Sequence, residues 1–258
     1  MKKTGIVLVT AVMVFVGLMA GNSFAEGPKV SGFASVDVMS NYVWRGIKVS
    51  NSFVVQPSIG IGYGDFAANF WGNYDSDVAE WTSNGQTGHG EMTEVDLTLS
   101  YTKTIDKFTL TGGYIYYAFE GFNDTQEFFV TVAYDTLLSP SLTAYYDYDE
   151  GNGAFIIASI GHTFKLPKDM SLKLGALASY NIENGIMGFD GHGDKFSNFY
   201  NAEVNAALMI PITKALSLTP KIAYSFAISN DAKDAMKGLA NDGKHDILYG
   251  GISLALNF

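Results

Sequence analysis

Residues 248–258 read Leu248-Tyr249-Gly250-Gly251-Ile252-Ser253-Leu254-Ala255-Leu256-Asn257-Phe258. Apart from Gly250, the even positions hold large apolar side chains, and the odd positions after Tyr249 hold small or polar ones. Successive side chains of a β-strand point to opposite faces, so a period of two indicates a strand with one apolar face. The end of the chain is therefore predicted to be such a strand.

The same period recurs backwards along the chain, and stripes with the period of a helix are hard to find after residue 26. In residues 216–226, for example, Leu216, Leu218 and Ile222 alternate with Ser217, Thr219 and Lys221. Twelve runs of about ten residues follow this pattern. They span residues 30–39, 53–62, 66–74, 92–102, 108–119, 126–135, 142–149, 154–164, 171–180, 201–210, 216–226 and 245–258.

The connections between these runs are sorted by length. Those after even-numbered runs are short, at residues 63–65, 103–107, 136–141, 165–170 and 211–215. Those after odd-numbered runs vary and are often long, at residues 40–52, 75–91, 120–125, 150–153, 181–200 and 227–244. Short periplasmic turns, longer extracellular loops and an even strand count are typical of an outer-membrane barrel. The sequence predicts an all-β fold, a single antiparallel transmembrane β-barrel of about twelve strands.

The composition agrees with a barrel that turns half of each strand towards lipid. The chain has 258 residues, of which 47% are hydrophobic and only 16% charged, against about 25% charged in an ordinary soluble domain. It has no cysteine, which excludes disulfides, thiol nucleophiles and cysteine-ligated zinc. The net charge of −10 argues against a nucleic-acid partner, because that partner needs clustered lysine and arginine.

The amino terminus has the parts of a secretory signal peptide. Lys2 and Lys3 precede an apolar stretch from Gly5 to Gly21, and Ser23 and Ala25 are small residues at alternate positions before a cut. We expect residues 1–25 to be the signal peptide and residues 26–258 the barrel domain, exported to the outer membrane of a Gram-negative bacterium.

The predicted lipid-facing side carries residues such as Val36, Ile59, Leu97 and Val130, with aromatic residues gathered near the strand ends. Membrane lipid is thus one expected partner. The terminal Phe258, with apolar residues at alternate positions before it, resembles the carboxy-terminal signature of bacterial outer-membrane barrels. That resemblance implies a second partner, the barrel-insertion machinery.

The first predicted hairpin carries a more specific resemblance. Ser40-Asn41-Tyr42-Val43-Trp44-Arg45-Gly46-Ile47 follows the first strand, Gln56-Pro57 lies in the second and Phe70-Trp71-Gly72-Asn73 in the third. Over residues 33–76 the chain resembles the TorF-type porin family, and beyond them only size and strand pattern agree. The resemblance implies an outer-membrane barrel and supplies no catalytic residue.

The predicted inward face is polar and mostly acidic. Two lysines, Lys173 and Lys221, share it with eight carboxylates: Asp37, Glu94, Asp96, Glu127, Asp135, Asp147, Asp149 and Glu203. An excess of negative charge in a low-dielectric tube favours cations over anions. We expect a channel for passive diffusion of small cationic or neutral solutes. Its pore-lining candidates are Asp37, Arg45, Glu94, Asp96, Glu127, Asp147, Asp149, Lys173, Glu203 and Lys221.

Arg45 is the only arginine in the chain. It is either a pore-mouth residue that engages an anionic group of a solute, or a clamp that folds inward and pairs with a barrel carboxylate such as Asp37. Arginine suits both roles, because its planar guanidinium makes bidentate hydrogen bonds that lysine cannot. The clamp is the favoured interpretation.

Other functions find less support in the residues. A twelve-stranded outer-membrane phospholipase needs a serine beside a histidine base, and no serine neighbours His245 on its face in that pattern. The acidic loop runs Asp75-Ser76-Asp77 and 190–194 lack the spacing of a known calcium loop. We expect no enzyme activity, cofactor or metal. The alternative functions left open are a non-conducting structural or adhesin-type barrel and, with less support, a lipid-modifying enzyme.

Overall fold

The computed structural model describes residues 29–78, 90–240 and 242–258. The predicted signal peptide and most of the predicted loop 75–91 lie outside these residues. No helix in the described part of the chain is long and apolar enough to cross a membrane.

Twelve antiparallel strands form one closed barrel, as the alternation predicts. A further two-stranded sheet, formed by β2 Val43–Trp44 and β3 Ile47–Lys48, lies outside the barrel order. The barrel strands are β1 Val30–Met39, β4 Val54–Tyr63, β5 Phe66–Asp75, β6 Glu91–Ile105, β7 Phe108–Phe119, β8 Thr125–Tyr134, β9 Ser141–Asp147, β10 Gly153–Lys165, β11 Ser171–Ile182, β12 Ser197–Pro211, β13 Leu216–Ala227 and β14 Asp246–Asn257.

The first and last strands close the barrel. Strand β1 pairs with β14 in a register that sets Asp37 opposite Ser253 and Val38 opposite Ile252. Gly32 and Phe258 exchange backbone hydrogen bonds of 2.7 and 2.9 Å at the end of this seam. Closure leaves no strand edge unpaired, as a sheet in a hydrocarbon environment requires.

The connections sort as the sequence predicts. The turns at residues 64–65, 106–107, 135–140, 166–170 and 212–215 are short and meet at one end of the barrel, which we call the turn end. The opposite end, the loop end, carries the long connections. In topology, the turn end corresponds to the periplasmic side of an outer-membrane barrel.

The outward surface is apolar, with aromatic rings near both ends. Leu142, Val204 and Ile222 are each more than half exposed on this surface. Phe66 stacks edge-on against Tyr101 at 4.8 Å near the turn end, and Phe128 packs on Tyr148 at 5.2 Å near the loop end. Rings at these positions match the two aromatic girdles of membrane barrels.

Three short elements lie where only loops were predicted, namely a hairpin, the 3₁₀ turn Gly185–Met187 and a helix. A short hairpin, β2 Val43–Trp44 and β3 Ile47–Lys48, lies in the first long loop. A helix, α1 Asn230–Leu239, lies in the last one, and Ser229 caps it by accepting from the backbone N–H of Ala232 at 3.1 Å. Serine is one of the preferred N-cap residues, so the sequence contains a local signal for the start of this helix. A search for period-two alternation overlooks that signal.

Candidate functional site

The β2–β3 hairpin turns at Arg45 and Gly46, and both residues have positive φ, of 50° and 85°. Val43 pairs with Lys48 and Trp44 with Ile47, so the turn is a two-residue loop. Two consecutive positive φ angles are the geometry of a type I′ turn, which matches the natural twist of a hairpin. Arginine rarely adopts this conformation, so its surroundings must hold it there.

The hairpin folds into the barrel and contacts wall strands β5, β7 and β12. Tyr42, at its base, packs against Trp71 of β5 at 5.6 Å, and Trp44 meets Tyr117 of β7 at 6.2 Å. On the opposite side, a Cβ added at Gly46 would lie 2.9 Å from the Asn201 side chain of β12. We call residues 41–50 the stopper, because they span the lumen at this level.

Arg45 is buried at the tip of the stopper. Its Nη1 and Nη2 atoms donate to the two carboxylate oxygens of Glu127 at 2.8 and 2.6 Å, a bidentate pair. The guanidinium also lies 4.4–4.9 Å from the ring centres of Trp44, Tyr145 and Phe155. Burial lowers the pKa of Arg45, but the charge of Glu127 outweighs it, so the pKa is raised and the group stays charged.

This environment decides between the two interpretations of Arg45. The side chain is 6% exposed and its Nη1 and Nη2 atoms are both bonded to Glu127, so this fork is not presented to a passing solute. The interpretation of Arg45 as a pore-mouth residue is wrong, and its interpretation as an inward clamp agrees with the structure. The partner, however, is Glu127 and not Asp37, because the hairpin carries Arg45 across the lumen to β8 while Asp37 pairs with Lys221.

A second body of side chains fills the lumen beside the stopper. Helix α1 and the 3₁₀ turn Gly185–Met187 fold over the loop end and pack on the stopper and the wall. Met187, Phe155, Tyr200 and Met236 are completely buried there. The cluster as a whole comprises Ile47, Phe155, Met187, Phe196, Tyr200, Ala227, Ala232, Ala235 and Met236. The loop end of the lumen is therefore closed by a packed apolar core.

Carboxylates line the wall next to the stopper. Glu94 is 5% exposed and Asp96 lies two residues further along the same face of β6. Burial, followed by the negative charges of Glu94 and Asp96, raises the pKa of Tyr42 well above its usual value. The phenol of the stopper therefore remains a neutral donor beside the two acids.

The remaining predicted pore residues divide into three groups. Asp37 pairs with Lys221, and Glu203 accepts from Tyr249 at 2.8 Å, all inside the barrel. Asp147 is fully buried at the end of β9, where Thr125 donates to it at 2.8 Å. Lys173 lies on the inward face of β11, opposite Thr163 and nearer the turn end.

Asp149 and Asp135 are corrections to the predicted inward face. Asp149 follows the end of β9 in an exposed loop, where it accepts from Gln126 of the outward face at 3.2 Å. Asp135 lies in the short turn after β8. Because strands β8 and β9 end sooner than predicted, alternation no longer sets the direction of these side chains. Six strand carboxyl groups remain inward (Asp37, Glu94, Asp96, Glu127, Asp147, Glu203) against the basic side chains of Arg45, Lys173 and Lys221, an excess of three acidic groups.

The turn-end half of the lumen is lined differently, by small hydroxyl residues. Thr131 and Thr143 bond at 2.9 Å, Ser141 and Ser159 at 2.7 Å, and Thr102 and Thr111 at 3.0 Å across neighbouring strands. Short hydroxyl side chains line the wall without reaching far into the lumen. The lumen thus changes from a hydroxyl-lined vestibule to an acidic belt and then to the stopper.

The acidic loop clusters have structural explanations. Asp190 accepts from the backbone N–H groups of His192 and Asp194 at 2.9 and 3.0 Å, and these bonds lower its pKa. Asp75 accepts from the Ser52 hydroxyl. Within the described residues, no group of three or more histidine, aspartate or glutamate side chains is arranged to hold a metal ion.

Several residues of the closed end were missed by sequence reasoning. Tyr200 and Asn201 are consecutive, yet both are buried, because the β11–β12 register shifts between Ala178 and Tyr180. A bulge of this kind places two successive side chains on one face. A prediction from strict alternation cannot include such a bulge. The Asn-rich surroundings of Asn201, which donates to Ser225 at 2.9 Å, were the available but unspecific signal.

No protein-family model matches the chain, and no curated protein matches it. Among solved structures it is similar to the NanC porin, with 12% identity and a TM-score of 0.51 over 87% of this chain and 98% of that one. An outer-membrane channel from Pseudomonas putida shows 10% identity and a TM-score of 0.49 over 92% and 97% of the two chains. The translocator domain of the autotransporter NalP from Neisseria meningitidis shows 10% and 0.48 over 98% and 97%. The closed twelve-stranded barrel and its likeness to the NanC porin show that this chain has the outer-membrane, porin-type β-barrel fold.

Proposed function

We propose that this chain is an outer-membrane channel for small solutes, of the TorF-like porin kind, and that it prefers cations to anions. The observation that carries the proposal is the excess of inward strand carboxyl groups over basic side chains, with Glu94 and Asp96 beside the stopper. Any path that opens around the stopper on the β5–β6 side passes these carboxylates. An excess of acidic over basic groups in a narrow lumen lowers the energy of a cation and raises that of an anion.

The preference can be measured as a reversal potential in a planar bilayer under a potassium chloride gradient. We expect the sign for cation selectivity, and we expect Glu94→Gln/Asp96→Asn to move the potential towards zero. Lys173→Gln is the control, since it removes one luminal charge of the opposite sign away from the stopper and should shift the potential the other way. Anion selectivity of the unmodified protein would disprove the preference.

A second candidate function, a non-conducting structural or adhesin-type barrel, is favoured by the packed stopper. Complete burial of Phe155, Met187, Tyr200 and Met236 leaves the loop end filled. The two candidates differ in single-channel recordings of the refolded protein. A channel shows discrete openings, and a variant lacking residues 43–48 shows a larger conductance. A structural barrel shows no openings until those residues are removed.

Two further expectations belong to this proposal. Export by a signal peptide cleaved after Ala25 predicts a mature protein that begins at Glu26, which mass spectrometry of the outer-membrane fraction checks. Insertion through the barrel machinery by the strand that ends in Phe258 is tested by the surface yield of a Phe258→Ala variant. We also propose that the chain is not an enzyme, so purified protein should not hydrolyse phospholipid.

A further inference from the structure

A separate cavity lies in the lumen directly beneath the stopper. Its volume is about 300 Å³, at the lower end of the range for small-molecule sites. Met39 and Tyr249, on its wall, also pack with the buried cluster of Tyr42 and Val54 at the base of the stopper. The inward side chains around it are Met39, Gln56, Glu203, Asn205, Lys221 and Tyr249.

Some of the hydrogen-bond donors of this wall are used within the wall. Tyr249 donates its hydroxyl to Glu203 Oε2 at 2.8 Å, and Asn205 donates from Nδ2 to Glu203 Oε1 at 3.1 Å. Gln56 donates from Nε2 to Asn73 at 2.9 Å. Each of these side chains retains acceptor capacity, because amide oxygens and carboxylates have further lone pairs. The cavity wall therefore still offers acceptor oxygens to a ligand.

The net charge of the cavity wall also favours a cation. Lys221 is neutralised by Asp37. Glu203 receives two neutral donors, and none of the ion pairs formed among the described residues includes it. Asp37, Lys221 and Glu203 together sum to one negative charge. A carboxylate that is held in place but not neutralised favours a cation.

The acceptor groups of the cavity wall determine which kind of cation fits. Calcium and magnesium take six or more oxygen ligands at short, regular distances, and this wall offers a single unneutralised carboxylate. An ammonium group needs three acceptors in a loose arrangement, and Glu203, Gln56 and Asn205 can supply them. The Met39 thioether and the Tyr249 ring give an apolar side for the rest of such a molecule.

We propose that this cavity is a binding site for a small organic ammonium ion, a resting position beneath the stopper for the solute that the channel admits. The inference rests on the proposed function for its role in transport, but the site itself does not require conductance. The cavity has room for about ten water molecules, so the ion is a small one.

Isothermal titration calorimetry on the refolded full chain tests the site without any current. Ethanolamine hydrochloride at neutral pH is the probe, ethylene glycol the uncharged control and sodium glycolate the anionic one. We expect ethanolamine to bind, and Glu203→Gln to weaken its binding at least tenfold. Tyr249→Phe keeps the charge but loses one donor to it, so its loss should be only a few-fold. Lys173→Gln should bind like the unmodified protein.

The outcomes separate this site from the channel. Equal affinity in the unmodified protein and Glu203→Gln, or binding of ethylene glycol or glycolate as tight as that of ethanolamine, would overturn the site. Circular dichroism and heat-dependent gel mobility show whether Glu203→Gln folds, and Tyr249→Phe carries the test if it does not. Conductance without binding removes the site alone, whereas binding without conductance removes the channel alone.

Discussion

At the scale of single residues, Arg45 shows why a buried charge can stabilise one conformation. A guanidinium taken out of water costs several kcal/mol unless its partners replace the lost hydration. Glu127 supplies two hydrogen bonds, and three aromatic rings surround the cation. Glu127 in turn accepts from the Tyr117 hydroxyl at 2.8 Å, which fixes the carboxylate in place. The tip of the stopper is thereby held against the wall.

Breaking this pair from one side should cost more than removing it whole. We expect Arg45→Met or Glu127→Leu alone to lower the free energy of unfolding by about 3–5 kcal/mol, because each leaves an uncompensated buried charge. The double variant should lose much less than the sum. Urea unfolding of the refolded protein in detergent, followed by tryptophan fluorescence, measures all three. Additive losses would contradict the pairing.

Gly46 is required by both its φ angle and its neighbour. A side chain there would adopt an unfavourable φ of 85° and would meet the Asn201 side chain at 2.9 Å. We expect Gly46→Ala to destabilise the protein by about 1–3 kcal/mol and to loosen the stopper, giving a higher conductance.

The matched control for Gly46 is Gly121, which has a φ of 83° and nothing within 4 Å of an added Cβ. Gly121→Ala therefore measures the backbone effect without the contact. A loss of the same size in both variants, in the same urea series, would show that Asn201 does not matter.

At the scale of elements, the stopper and helix α1 act as two halves of one closure. Lys48 of β3 donates to Asp242, after the helix, at 2.8 Å. Burial raises the pKa of Asp242, but the hydrogen bonds from Lys48 and the Lys244 backbone N–H outweigh it and lower the pKa overall. The helix also buries Met236 and Ala232 against the stopper side. Their joint packing explains why a ten-residue helix is stable in this loop.

The Lys48–Asp242 contact should respond to acid with a defined sign. A lowered pKa in the folded state means that the contact stabilises the closure above the unfolded value of about 3.9, and that this is lost as the pH falls through the folded pKa. Limited proteolysis at helix α1 should accelerate below about pH 4.

The variant Asp242→Asn isolates this contribution from the other acids of the chain. It should be cleaved faster than the unmodified protein at pH 7, and the difference between the two should vanish at low pH. A constant difference at every pH would show that the carboxylate does not hold the helix loop.

At the scale of the whole molecule, closure depends on a small residue opposite the terminal ring. Phe258 covers Gly32 on the outer face, and a Cβ at Gly32 would lie 2.5 Å from its ring. The two residues also exchange backbone hydrogen bonds at the seam. The last residue of the chain thus completes the ladder that joins β1 to β14.

A larger side chain at Gly32 should weaken the seam. We expect Gly32→Val to lower the temperature at which the folded band is lost on a heat-modifiable gel, because the Phe258 ring must move. Gly112→Val is the control, since a Cβ there lies 4.0 Å from its nearest neighbour. Equal behaviour of the two variants would mean that the ring contact does not contribute to closure.

Much of this molecule was predictable because barrels repeat a simple rule. Period-two alternation identified all twelve barrel strands, and the terminal run 245–258 agrees with β14 at Asp246–Asn257. The loop lengths predicted that the short turns lie at one end of the barrel and the long loops at the other. The luminal direction of Asp37, Glu94, Asp96, Glu127 and Glu203 also followed from alternation, because lipid excludes charge from the other face.

The strand count, the lipid-facing side and the acidic character of the lumen can therefore be read from local patterns, since each of these patterns repeats within a few residues. Three features are visible only in the folded molecule: the first loop turns inward, Arg45 meets a carboxylate 82 residues away, and helix α1 covers the loop end. Those contacts join segments far apart in the chain. Their partners are selected by the diameter of the closed barrel and by the shift at Tyr200, neither of which is present in any local stretch of sequence.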